Sequence, residues 1–271
     1  MPIKFQFIDS STTWYGIAKQ LTYALINLGL EPSAEGISIC YVNDIGEIDH
    51  DSGKPITPEN RMPLKRGIES KADFTFYSQK SCAKFFEDKH NAFYLPPAVN
   101  TNIFNVNPNS DRPIDVGFVG KKYPSKIRNE FFNALENQKE FNFVHKENIY
   151  FKDVADFYGR CKIVVNDSQA NELNMRIFEA TASGALLITK GIPYLETAFN
   201  ILSMSELLTY WSGSYKGMLE IINEYLTPAF TEKRIAIATR GYERTLKNHS
   251  YNNRALFIKT KLENYVKTKS N

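Results

Sequence analysis

The chain has 271 residues, 42% hydrophobic and 23% charged, a composition near the globular average that sets aside disordered and fibrous classes. Lys and Arg total 33 against 30 Asp and Glu, and the net charge of +3 is dispersed, which argues against a strong nucleic-acid binder. No apolar run approaches the roughly 18 residues of a membrane span. Met1-Pro2-Ile3-Lys4-Phe5 carries no signal-peptide pattern, and Cys40 and Cys161 sit in apolar runs that suit buried, reduced thiols. Neither these nor Cys82 forms a Cys-x-x-Cys pair, and a cytoplasmic protein is expected.

In chain order, Lys4 to Asp9 alternates like a strand, and Trp14, Ile17, Ala18, Leu21, Leu25 and Leu28 recur at helical spacing until Gly29. Ile37 to Val42 reads as a second strand. Gly46 to Pro63 reads as a long loop rich in turn residues. Asp73 to Tyr77, a helix from Gln79 to Asp88, and Phe93 to Leu95 complete a parallel α/β unit.

Between Pro96 and Pro113 the composition shifts to Pro and Asn, marking a linker. The pattern then restarts. Strands are predicted at Ile114–Val119, Phe141–Val144, Cys161–Val165 and Ala185–Thr189, with helices from about Ser125 to Glu136 and Asn174 to Ser183. The tail from Tyr215 is mostly helical. The expected fold class is α/β, with two Rossmann-like domains facing a cleft. The expected boundaries are 1–98, a linker over 99–113, a second domain over 114–250, and a helix over 251–271 that can cross back to the first domain. In such sheets ligands bind beyond the carboxyl ends of the strands.

The most informative segment runs from Val165 to Thr189 as strand, polar loop, helix, glycine and strand. Arg176, Glu179 and Ser183 fall on one helical face. An Arg at a helix start suits a phosphate, and a carboxylate one turn later suits vicinal ribose hydroxyls. An ordinary surface Arg–Glu pair fits the same spacing.

Asn174-Met175-Arg176-Ile177-Phe178-Glu179-Ala180-Thr181-Ala182-Ser183-Gly184 resembles the Arg-x-Phe-Glu-Ala-x-Ala-x-Gly segment of CgeB-type glycosyltransferases, a branch of the GT-B superfamily. Leu95 to Asn100 is similar to that family's interdomain segment, and Asp115 to Gly120 with Arg128 is similar to the opening of its donor domain. His249-Ser250-Tyr251 with Arg254 is similar to its closing motif. The likeness covers about residues 92–258. It implies transfer of a sugar from a nucleotide-diphosphate sugar, a UDP- or GDP-sugar, to a hydroxyl, with the second domain as donor domain and no further cofactor.

On that resemblance Glu179 holds the ribose, Gly120 and Lys121 lie near the diphosphate, and Arg176 is a further phosphate ligand. Asn166 and Asn174 flank the cleft, and Arg128 is carried as a substrate-binding residue. The Glu-x7-Glu pair of many retaining GT-B enzymes is interrupted, with Asn171 eight positions before Glu179. The leaving diphosphate needs charge stabilisation, a role for Arg176 and Lys121 that suits metal-independent chemistry. Candidate bases are Asp9, Asp44 and His50, with Asp44 preferred. Asp49-His50-Asp51 reads as a solvated loop rather than a metal site.

No Gly-x-Gly-x-x-Gly follows the first strand and no P-loop occurs, which disfavours dehydrogenases and P-loop phosphotransferases. A non-catalytic nucleotide-sugar binding module is the alternative reading. Acceptors that fit are a glycan, a protein side chain or a hydroxylated DNA base.

Overall fold

The computed structural model describes residues 2–8, 16–42, 69–80, 83, 91–122, 126–168, 171–199, 204–211 and 215–270. The chain forms two compact units. The first comprises Met1–Ala98, Ala170–Leu173 and Ser250–Asn271, and the second Val99–Gln169 and Asn174–His249.

In the first unit β1 (Lys4–Phe7), α1 (Ile17–Asn27), β2 (Glu31–Pro32), β3 (Ile37–Val42), β4 (Phe74–Tyr77) and β5 (Ala92–Tyr94) follow in order. The sheet runs β2-β1-β3-β4-β5 with every pair parallel. All four residues of β4 are buried, as expected for a strand covered on both faces. Leu21 and Leu25 turn the buried face of α1 inward, and Gly29 adopts φ 84° just past its end, a conformation that favours glycine.

In the second unit β6 (Ile114–Val119), α2 (Lys126–Glu136), β7 (Phe143–Lys146), α3 (Lys152–Tyr158), β8 (Cys161–Asn166), α4 (Met175–Ala182), β9 (Leu186–Lys190) and β10 (Leu208–Tyr210) alternate. Helices α5 (Tyr215–Leu226) and α6 (Thr231–Asn248) complete it. The sheet order is β10-β9-β8-β6-β7, again all parallel. Its core joins Val116, Phe118, Ile163 and Ile188 of the strands to Phe131 and Phe132 of α2, and to Met218 and Ile222 of α5.

Residues 99–113 pack within this second unit. Val106 N–H donates to Ala182 O at 3.3 Å, and Arg112 donates to carbonyls of residues 107, 108, 158, 161 and 183. The last helix, α7 (Tyr251–Ser270), belongs to the first unit. Phe257 meets Phe76 and Phe93 edge-on, Tyr265 meets Phe74, and buried Arg254 donates to Pro96 O and Pro97 O, each at 2.9 Å. His249, in the second unit, lies against Phe178 and Phe199 with Nε2 2.9 Å from Ala198 O. Cys40 and Cys161 are buried thiols, and burial pushes the Cys161 thiol up to about 12. Cys82 lies outside the described residues.

Candidate active site

The site is built where β6 and β8 end. β6 runs into Gly120, whose φ of 152° is open to glycine and unfavourable for other residues. Its N–H donates to Lys146 O at 3.1 Å, and its carbonyl lies 2.6 Å from His145 Nε2, a bond made by the tautomer protonated there. Lys121 and Lys122 follow on the surface. Lys122 is tied by its N–H to Glu147 and by its ammonium to Glu136.

Arg176, in the first turn of α4, reaches back to both strand ends. Nε donates to Val119 O at 2.9 Å and Nη1 to Asn166 Oδ1 at 2.7 Å, while the guanidinium stacks 4.2 Å from the Phe118 ring centroid. The Tyr158 hydroxyl touches both Arg176 and Val119, and burial raises its pKa. A Cβ on Gly120 would stand 2.6 Å from Arg176 Nη2 and 3.1 Å from the Phe118 ring. The missing side chain at 120 is therefore the space that the guanidinium fills.

Gly120→Ala is accordingly expected to displace Arg176 and add backbone strain of order 1–3 kcal/mol. Thermal denaturation should register a loss of about 2–4 °C per kcal/mol. An unchanged midpoint would contradict this packing.

Asn166 ends β8 fully buried. Its Nδ2 donates to Thr189 Oγ1 at 2.9 Å, and its Oδ1 also accepts from Asn174 Nδ2 at 3.2 Å. Asn174 occupies the N-cap position of α4 with extended backbone, but its side chain does not cap the helix. Among the described residues its buried Oδ1 finds no hydrogen-bond partner, an acceptor held ready beside Asn166.

Glu179 lies one turn beyond Arg176 and forms no ion pair with it among the described residues. Its carboxyl makes no hydrogen bond to a described residue. Desolvation raises it to about 7, against the lowering influence of Arg176. Ser183, which the helical spacing placed on the same face, is buried at the far end of α4.

Arg128, on α2, is buried with its guanidinium 5.3 Å from the Phe118 centroid and 5.7 Å from that of Phe131. Burial, and then Arg176, lower its pKa, while Asp167 works the other way. Two guanidiniums thus share one phenyl ring.

The structure brings Gly120, Arg128, Asn166, Asn174 and Arg176 together, with Glu179 next along α4 and Lys121 beside the turn. Asp9, Asp44 and His50 lie outside the described residues. Sequence reasoning missed Tyr158, His145 and Asp167. Asp167 is buried directly after β8, and its Oδ1 accepts the Tyr210 hydroxyl at 3.1 Å. A polar residue immediately following a strand buried at all but one position was the available signal for it. Among the described residues no group of three or more His, Cys, Asp or Glu is arranged to hold a metal ion, and no helix is long and apolar enough to cross a membrane.

A family model described as glycosyl transferase-like matches residues 106–260, which is more than half of the chain. The chain belongs to the glycosyl transferase-like family. The match spans β6 to β10 and every site residue just described in the second unit. Comparison with solved structures shows the GT-B fold for this glycosyl transferase-like chain. Anabaena Alr3699/HepE, solved with UDP and glucose, aligns with a TM-score of 0.64 at 14% identity, over 91% of this chain and 76% of that one. The pneumococcal O-GlcNAc transferase GtfA, solved with UDP and GlcNAc, gives 0.57 at 12% identity over 84% of this chain. The present chain spans about half of GtfA, 52% of its length. Sucrose-phosphate synthase from Thermosynechococcus elongatus gives 0.61 at 11% identity, over 98% of this chain and 74% of that one. A search of curated protein sequences gave no match.

Proposed function

We propose that this glycosyl transferase-like protein moves a sugar from a UDP- or GDP-sugar to a hydroxyl acceptor without a metal ion, and that it is of the CgeB type. The observation that carries the reading is the Glu179 carboxyl. It lies half-buried, with no hydrogen bond to a described residue, one helical turn from a guanidinium anchored at a glycine turn. A carboxylate held this way accepts two vicinal ribose hydroxyls. The glycine turn, Lys121 and Arg176 then take the diphosphate.

Charge on the leaving diphosphate grows as the glycosidic bond breaks, and a fixed guanidinium nearby stabilises that charge without reorganising. Asn166 and Asn174 hydrogen-bond donor hydroxyls, and Arg128 adds positive potential from beneath Phe118. Asp44 is the proposed base for the acceptor hydroxyl, which belongs to a glycan, a protein or a hydroxylated DNA base. The buried thiols of Cys40 and Cys161, neither in a disulfide, support a cytoplasmic location.

Isothermal titration of UDP- and GDP-sugars in EDTA tests the donor site. Binding is expected without added metal, and binding that appears only with Mg²⁺ or Mn²⁺ would overturn that part of the reading. A donor that binds but is neither transferred nor hydrolysed would identify a nucleotide-sugar binding module instead.

A further inference from the structure

We propose that the second unit carries a phosphate-binding site at the amino ends of β6 and β8, at the opposite end of the sheet from Gly120 and Arg176. A cavity of about 200 Å³ opens there, lined among others by Ser110, Asp111, Arg112, Lys162 and Arg234. Nothing in the proposed transfer reaction uses it.

The case rests on unbalanced buried charge. Arg112 engages all five of its donors with neutral carbonyls, Pro108, Tyr158, Cys161, Asn107 and Ser183, at 2.9–3.3 Å. No carboxylate among the described residues bonds it. Arg234 is only 8% exposed. Its Nη1 donates to Tyr225 O at 2.7 Å, while its Nε and Nη2 make no hydrogen bond to a described residue. Lys162 pairs with Asp115 at 2.7 Å, and the second Asp115 oxygen accepts Asn142 N–H.

Three cations therefore surround the cavity. The carboxylates near them are Asp115, already shared between Lys162 and Asn142, and the exposed Asp111. Burial first, and Arg234 with it, brings Arg112 down to about 10, while among the described residues Asp115 is the one carboxylate that favours the charged form of Arg234. Buried charges call for partners, and the missing partner here is an anion. A guanidinium edge, an ammonium and the Ser110 hydroxyl offer donors from several directions. That arrangement suits the tetrahedral oxygens of a phosphoryl group better than a two-oxygen carboxylate. The cavity admits one phosphoryl group, as free phosphate or as a small monoester.

The test is isothermal titration of the full chain with inorganic phosphate, glycerol phosphate and acetate at constant ionic strength. Saturable binding of a phosphate is expected, with acetate weaker. A preference for the inorganic ion assigns the site to free phosphate, and a preference for the ester assigns it to a phosphorylated metabolite. Arg234→Met should weaken phosphate roughly tenfold, the loss of a charged hydrogen bond. Arg176→Ala, at the far end of the sheet, should leave it within about twofold.

Because Arg234 also bonds Tyr225 O, thermal midpoints accompany each variant. Lys162→Met, altering a side chain 34% exposed, serves as the second variant and should also weaken phosphate. Absence of saturable phosphate binding in the wild type overturns the proposal. So does affinity that survives both Arg234→Met and Lys162→Met, affinity lost in Arg176→Ala, or acetate binding as tightly as phosphate.

Discussion

Glu179→Gln is expected to weaken nucleotide binding roughly ten- to a hundredfold while making the free protein more stable at pH 8. The first effect is the loss of charge-assisted hydrogen bonds to the ribose, about 1.5–3 kcal/mol at 1.4 kcal/mol per decade. The second follows from the raised carboxyl. In the folded chain Glu179 titrates at about 7 against an ordinary 4.5. Below 4.5 both states are neutral there and no penalty exists. As pH climbs from 4.5 to 7 the unfolded chain releases the proton first, so stability falls, and above 7 the loss is complete. Its ceiling is about 3 kcal/mol, reduced because the side chain keeps some contact with solvent. Glutamine has no such titration. Thermal midpoints at pH 5 and pH 8, beside titrations with UDP at pH 8, separate the two effects. A variant that keeps wild-type affinity, or is less stable at pH 8, would make Glu179 a structural residue.

Arg176→Ala is expected to lower turnover roughly a hundredfold, the range found when one fixed transition-state donor is removed. Donor affinity should fall less, because leaving-group charge is greatest in the transition state. Stability will also drop, since the bonds to Val119 O and Asn166 Oδ1 disappear. Arg176→Lys separates these roles. Lysine restores a positive charge but cannot span both anchoring acceptors, so partial recovery of turnover should accompany continued loss of stability. Glu172→Ala, in the loop before α4, is the control and should change little. If Glu172→Ala proves the more damaging change, or both Arg176 variants turn over normally, the site is misplaced.

The alternation of strands and helices was readable because β3, β4, β8 and β9 carry nearly continuous apolar runs between turn signals. Helix α3 escaped notice. It has seven residues, and its N-cap, Phe151, sits at φ 49° where no sequence signal predicts a bulky aromatic. Strand β10 is three residues long, too short for periodicity to register. β7 begins two residues later than its apolar run suggests, at Phe143. Asn142 N–H bonds the Asp115 carboxylate, and Phe141 packs into the core instead.

At the candidate site, the spacing of Arg176 and Glu179 was legible as one face of α4. The direction of the guanidinium was not. It is set by Val119 O, Asn166 and the void over Gly120, none of which a linear pattern encodes. Tyr158 and His145 reach the site by tertiary packing, and their type and position carried no prior signal.

The placement of α7 in the first unit has a consequence for synthesis. The ribosome delivers the first unit's strands at the outset, but the helix carrying Phe257 and Tyr265 emerges only after the entire second unit. Phe74, Phe76 and Phe93 stay without these ring contacts for the time needed to translate more than 150 residues, about 8–30 s at 5–20 residues per second. Residues 99–249 hold the whole of the second unit, interrupted only by residues 170–173 of the first, and can close their core during that interval. The order of maturation thus runs against the order of translation, and a nascent chain stalled before residue 250 would present a finished second unit beside an open aromatic sheet, a form suited to chaperone capture.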